Sequence, residues 1–181
     1  VEVIAAQPLR LWGPNSARFD LRNHRKIVVV DDRRAFFGSQ NIVSSHANKG
    51  MVNEEMLVRA TGAVVQQLGA VLLGDRYIET GNFPPESDKH DLPPSATASG
   101  GLALVVPSGP GYSKGTAEAV MIALMYGARS RVILTSPYVI PSESFFLAMC
   151  STARRGVTVD LIVDQESNKP LAQLAQRSYY D

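Results

Sequence analysis

A chain of 181 residues with 45% hydrophobic and 19% charged residues is long enough to bury a sizeable core and too apolar to be disordered. Its net charge of +1 gives no excess of cations for a nucleic-acid groove, so nucleic acid is not expected as a partner, although a local basic surface stays open. The single cysteine, Cys150, excludes an internal disulfide and favours a reducing compartment; in an apolar helical stretch it reads as a small buried hydrophobe. No apolar run approaches the roughly 18 residues of a membrane-spanning helix, and no signal-peptide pattern is present. The chain opens at Val1 rather than methionine, directly in an apolar stretch. It therefore reads as a soluble fragment or processed product, and a longer parent is free to carry membrane segments.

In chain order, strand-like runs fall at Lys26–Val30, Ala35–Gly38 and Met56–Ala60. A helix is expected from about Gly62 to Tyr77, with Val64, Leu68, Val71 and Leu72 at helical spacing and Thr61 as its N-cap. Residues 83–101 are rich in Pro, Ser, Asp and Gly and read as a linker. A short strand at Leu102–Val106 and a helix with Ala117, Val120, Met121, Leu124 and Ala128 on one face follow. Next come a strand at Val132–Thr135, a helix at Ser142–Arg154 opened by Pro141-Ser142, a strand at Val157–Val163 and a helical pattern from near Pro170. Strands alternating with helices imply an α/β layer architecture. The expected organisation is a first half over 1–82, the linker over 83–101 and a second half over 102–181.

One segment carries chemistry. It reads His24-Arg25-Lys26-Ile27-Val28-Val29-Val30-Asp31, then six residues, then Gly38-Ser39-Gln40-Asn41. Side chains alternate along a strand, so His24 and Lys26 share a face. The polar run Asp31-Asp32-Arg33-Arg34 is a turn, and Ala35-Phe36-Phe37 suits the returning strand of a hairpin. Such a hairpin brings Ser39 and Asn41 toward His24 and Lys26. A lysine point charge with hydroxyl and amide donors holds the charged oxygens of a phosphodiester, and a neutral imidazole attacks phosphorus to form a phosphohistidine. No cluster of Asp, Glu and His at metal-ligand spacing accompanies the segment. Charge stabilisation is therefore expected from Lys26 and its neighbours, with neither a metal nor another cofactor.

The spacing His-x-Lys-x4-Asp-x6-Gly-Ser-x-Asn resembles the signature of the phospholipase D superfamily. At ordinary residue frequencies it arises by chance on the order of once in a million such chains. The resemblance implies a phospholipase D-like α/β fold, with mixed sheets flanked by helices in two half-domains, the second truncated here. It implies His24 as nucleophile, Lys26, Ser39 and Asn41 as binders of the phosphoryl oxygens, and an acidic residue downstream that orients the imidazole. Glu55 fits that last position best, with Glu54 as the alternative. Asp31, at the turn and of opposite strand parity to His24, reads as a residue that fixes the hairpin and supports the site.

Further stretches resemble the bacterial cardiolipin synthases within that superfamily. They are Leu21–Val29 around the motif, Asp75-Arg76-Tyr77, Glu79-Thr80-Gly81, Val105–Pro110, Ser136–Pro141, Arg155-Gly156-Val157 and Arg177–Tyr180. What this implies is phosphatidyl transfer from one phosphatidylglycerol to another through the phosphohistidine. The parent would carry amino-terminal membrane helices and work at the cytoplasmic face of a bacterial inner membrane. Enzymes of this type pair two motifs. The other histidines, His46 and His90, lack a lysine two residues later, so the general acid of the second motif is missing from this chain. Two other functions compete: a phospholipase D-type phosphodiesterase or nuclease, and a catalytically inert scaffold. Neither the phosphatidyl acceptor nor the oligomeric state follows from the sequence.

Overall fold

The computed structural model of the chain describes residues 3–4, 23–42, 55–83, 101–109, 111–113, 115–164 and 170–179. Glu54, His46, His90 and most of the expected linker lie outside the described residues. The chain is a mixed α/β protein with two small sheets, and it divides into two compact units, Val1–Lys114 and Gly115–Asp181.

In the first unit, β1 (Ile27–Val30), β2 (Arg34–Gly38) and β3 (Leu57–Thr61) form an antiparallel sheet in that order. Helix α1 (Ala63–Thr80) packs on it. Strand alternation decides which residues meet the helix: Ile27, Val29, Ala35 and Phe37 pack with Val65, Leu68 and Val105, whereas Val28 and Val30 stay exposed. The β1–β2 register pairs Ile27 with Phe37 and Val30 with Arg34. Asp31 and Asp32 make the turn with φ of 52° and 50°, and Arg33 N–H donates to the Val30 carbonyl at 3.1 Å. Two successive left-handed residues suit the twist of a tight hairpin, and aspartate tolerates that region better than most side chains.

The expected helix runs three residues past Tyr77 and ends at Gly81, whose N–H donates to the Tyr77 carbonyl at 2.8 Å. Its N-cap is Gly62 rather than Thr61, because Thr61 is still paired with Arg34 in the sheet. Gly62 reverses the chain at φ 81°, a value that threonine adopts only with strain. Leu68 and Val71 are buried as expected, but Val65, not Val64, joins them. The strand expected at Leu102–Val106 is absent from both sheets. The Val105 N–H instead donates to the Gln67 side-chain carbonyl at 2.8 Å, so α1 takes the donor that a neighbouring strand would have used.

In the second unit, α2 (Thr116–Gly127) precedes a parallel pair, β4 (Arg131–Thr135) and β5 (Thr158–Ile162). Helix α3 (Glu143–Arg154) forms the crossover between them, and α4 (Pro170–Arg177) follows. Ser142 caps α3 by accepting from Phe145 N–H at 3.2 Å, as Pro141-Ser142 led one to expect. The core joins Met125, Ala148 and Met149, with Ile122, Val132, Leu134, Phe145 and Phe146 packed around them. The expected face of α2 is not the buried one: Val120, Met121 and Leu124 are exposed. The helix is apolar around most of its circumference, so its contact with α3, not its periodicity, selects Met125. Arg155 and Thr152 lock that contact, donating to the Met125 carbonyl at 2.8 and 3.1 Å. Cys150, on α3, is partly covered and free of any disulfide.

Candidate active site

The antiparallel meander has one chemically distinctive end. The start of β1, the end of β2 and the start of β3 all meet there. His24, Lys26, Ser39, Asn41 and Glu55 all flank these strand ends, although they are spread over some thirty residues of sequence. Asp31 lies at the opposite end, in the turn. At about 3.3 Å per residue it is roughly 17 Å along the strand from Lys26, which removes it from contact with a phosphoryl group bound there.

His24 and Lys26 precede β1 rather than lying within it. The last link to β2 is long, Gly38 N–H to the Lys26 carbonyl at 3.3 Å. One residue earlier the Arg25 N–H is taken by the Asn23 side-chain carbonyl at 2.9 Å, which ends the ladder. His24 is exposed, and its carbonyl accepts from the Lys26 ammonium at 2.6 Å. That bond turns the lysine charge onto the His24 segment, where it can serve an anion.

Ser39 is held by Met56, a residue to which no motif pointed. Ser39 N–H donates to the Met56 carbonyl and Met56 N–H donates to Ser39 Oγ, each at 2.9 Å. The hydroxyl thus accepts from Met56 N–H and itself donates, at a long 3.5 Å, to the Met56 carbonyl, a weak bond that an anion could replace. Gly38 explains itself here. A Cβ at this position would collide with the Met56 carbonyl, and main chain cannot step aside cheaply. The Gly-Ser pair of the motif is thus the close crossing of β2 with the start of β3. Asn41 is exposed beyond it. Glu55, also exposed, immediately precedes Met56, and no hydrogen bond or ion pair joins it to His24 among the described residues.

A cavity of about 410 Å³ opens beside Lys26, between the hairpin, α1 and the 103–108 segment. Phe37, Val64, Leu68, Leu104 and Val106 are among its walls, while His24 is not. Of the two residues expected to share a strand face, His24 and Lys26, only Lys26 borders this cavity. Among the described residues no group of three His, Cys, Asp or Glu is placed to hold a metal ion, and no helix is long and apolar enough to cross a membrane.

Comparison with known proteins agrees with the motif. Cardiolipin synthase A of Pectobacterium carotovorum subsp. carotovorum strain PC1 is 33% identical over 186 residues, covering 99% of this chain and 38% of that protein. The cardiolipin synthases A of Pectobacterium atrosepticum and Yersinia pseudotuberculosis match with the same identity and coverage. The chain thus spans 38% of the length of these curated relatives. No family model matches the chain, and no solved structure matches it.

Proposed function

With this chain a homologue of part of the bacterial cardiolipin synthases over 99% of its length, we propose that it carries the nucleophilic half-site of a phosphatidyltransferase. His24 attacks the phosphorus of phosphatidylglycerol, the bond to the glycerol oxygen breaks, and glycerol leaves after taking a proton. The phosphatidyl group then rests on the imidazole. A hydroxyl of a second phosphatidylglycerol attacks it, loses its proton, and gives cardiolipin with free His24. Lys26, Ser39 and Asn41 hold the non-bridging oxygens through both displacements. Glu55, at the same strand ends as His24 but not bonded to it among the described residues, is the acidic residue offered to the imidazole, and Asp31 fixes the hairpin. The sequence holds no second His-x-Lys pair, so the acid that protonates glycerol belongs to the rest of the reading frame.

The observation that carries this reading is the gathering of His24, Lys26, Ser39 and Asn41 at one end of a single sheet. The apolar cavity that Lys26 borders favours a diester with hydrocarbon chains over a polynucleotide. A substrate with acyl chains also implies work at a bilayer, here the cytoplasmic face of the inner membrane.

The test is phosphatidyl transfer by the product of the full reading frame in vesicles containing phosphatidylglycerol. Cardiolipin and free glycerol should accumulate, and an acid-labile phosphatidyl adduct should form on His24. His24→Ala should remove adduct and product together, and Lys26→Met should slow the first step. Phosphatidic acid as the sole product would make water the acceptor and the protein a phospholipase. Undiminished transfer by His24→Ala would overturn the reading.

A further inference from the structure

His24 stands between two residues that are both tied to the same carboxylate. Asn23 Nδ2 donates to Asp75 Oδ2 at 2.9 Å, and Arg25 Nη1 donates to Asp75 Oδ1 at 2.5 Å. Asn23 also accepts from the Arg25 N–H, which closes a loop of hydrogen bonds around the backbone of His24. The second arm of Arg25 donates to the Ser108 carbonyl at 2.5 Å, and its guanidinium lies 4.9 Å from the centre of the Tyr112 ring. Arg25 is therefore gripped from three directions: a carboxylate on α1, a main-chain carbonyl of the 101–109 segment and an aromatic face. The Arg25 and Asp75 side chains are only 15% and 16% exposed, unlike a solvent-screened surface pair of little value.

We infer that Arg25, through Asp75, is a positioning residue that fixes the backbone on both sides of His24 and so sets the direction of its imidazole. The exposed His24 lies N-terminal to the regular sheet, so the ladder does not hold it. The Asp75 clamp does, and it ties the nucleophile's segment to helix α1, which packs on the sheet. Geometry of this kind matters because a misplacement of about 1 Å at a reacting atom costs on the order of a hundredfold in rate. Lysine is a poor substitute, since one ammonium cannot make the carboxylate bond, the carbonyl bond and the ring contact at once. The inference rests on the reading of His24 as phosphoryl acceptor.

The test compares Arg25→Ala, Asp75→Asn, Arg25→Lys and His24→Ala in the product of the full reading frame, with kcat and KM for phosphatidylglycerol measured separately. Arg25→Ala and Asp75→Asn should lower kcat by about tenfold to a hundredfold while KM stays within about threefold, and Arg25→Lys should fall between them and the wild type. A second readout needs no turnover: the imidazole ¹H–¹³C signals of His24, assigned by their loss in His24→Ala. These should shift or broaden in Arg25→Ala while the methyl signals of Val65 and Leu68 hold their places. Unchanged His24 signals in Arg25→Ala, or wild-type kcat in a folded Arg25→Lys, would overturn the positioning role. Full turnover by His24→Ala would instead overturn the function reading, so the two failures are distinct.

Discussion

Ser39 and Met56 are joined by two bonds of 2.9 Å, main chain to main chain and main chain to hydroxyl, and by a longer one of 3.5 Å from the hydroxyl to the Met56 carbonyl. The bond between them makes one side chain serve two purposes: it fastens the start of β3, and it presents a hydroxyl beside the Lys26 segment.

Replacing Ser39 with Ala removes the hydroxyl acceptor from Met56 N–H, at a position open enough for water to take its place. The expected loss of stability is modest, about 0.5–1.5 kcal/mol. Transfer activity should fall by more than that loss explains, since the proposed phosphoryl-oxygen donor goes with it. Urea unfolding and initial rates, measured on the same Ser39→Ala preparation, separate the two effects.

Gly38 is expected to be intolerant of any side chain. Ala at this position must push the Met56 carbonyl away and pull β2 from β3. Overpacking of this kind costs about 1–3 kcal/mol, and here the strained contact is main chain, so the upper end is expected. Thermal unfolding of Gly38→Ala checks it. A midpoint equal to wild type would mean that the β2–β3 crossing is looser than this geometry.

Asp31 separates structural from chemical roles. Its φ of 52° and its place at the far end of the hairpin make backbone conformation its main constraint. Asp31→Gly should therefore hold stability within about 1 kcal/mol and leave phosphate affinity unchanged, whereas Asp31→Val should cost about 1–2 kcal/mol through the left-handed turn. Unfolding curves and a phosphate titration of both variants decide this. Loss of anion binding in a stable Asp31→Gly would assign the carboxylate a direct part in the site.

The isolated 181-residue chain should turn over little substrate, and the product of the full reading frame should turn over far more. Positioned general acid catalysis is worth about a hundred- to ten-thousandfold, and the chain has no second histidine-lysine pair to supply it. Phosphatidylglycerol turnover across a range of chain concentrations is the measurement. Robust activity that rises with dimer formation would revive a site built symmetrically from two copies of the single motif.

What the sequence determined by itself was local. The motif spacing named His24, Lys26, Asp31, Ser39 and Asn41, strand-like runs placed β1 and β2, and Pro141-Ser142 opened α3. These follow from backbone geometry over a few residues, where side-chain type restricts the choice strongly. Tertiary structure decided the rest. The buried face of α2 was ambiguous because that helix is apolar almost all round, and only its contact with α3 selects Met125. Ser39 and Met56 lie 17 residues apart, and Arg25 and Asp75 lie 50 apart. No periodicity encodes such pairs, because they exist only once the strands have taken their register and α1 has settled on the sheet.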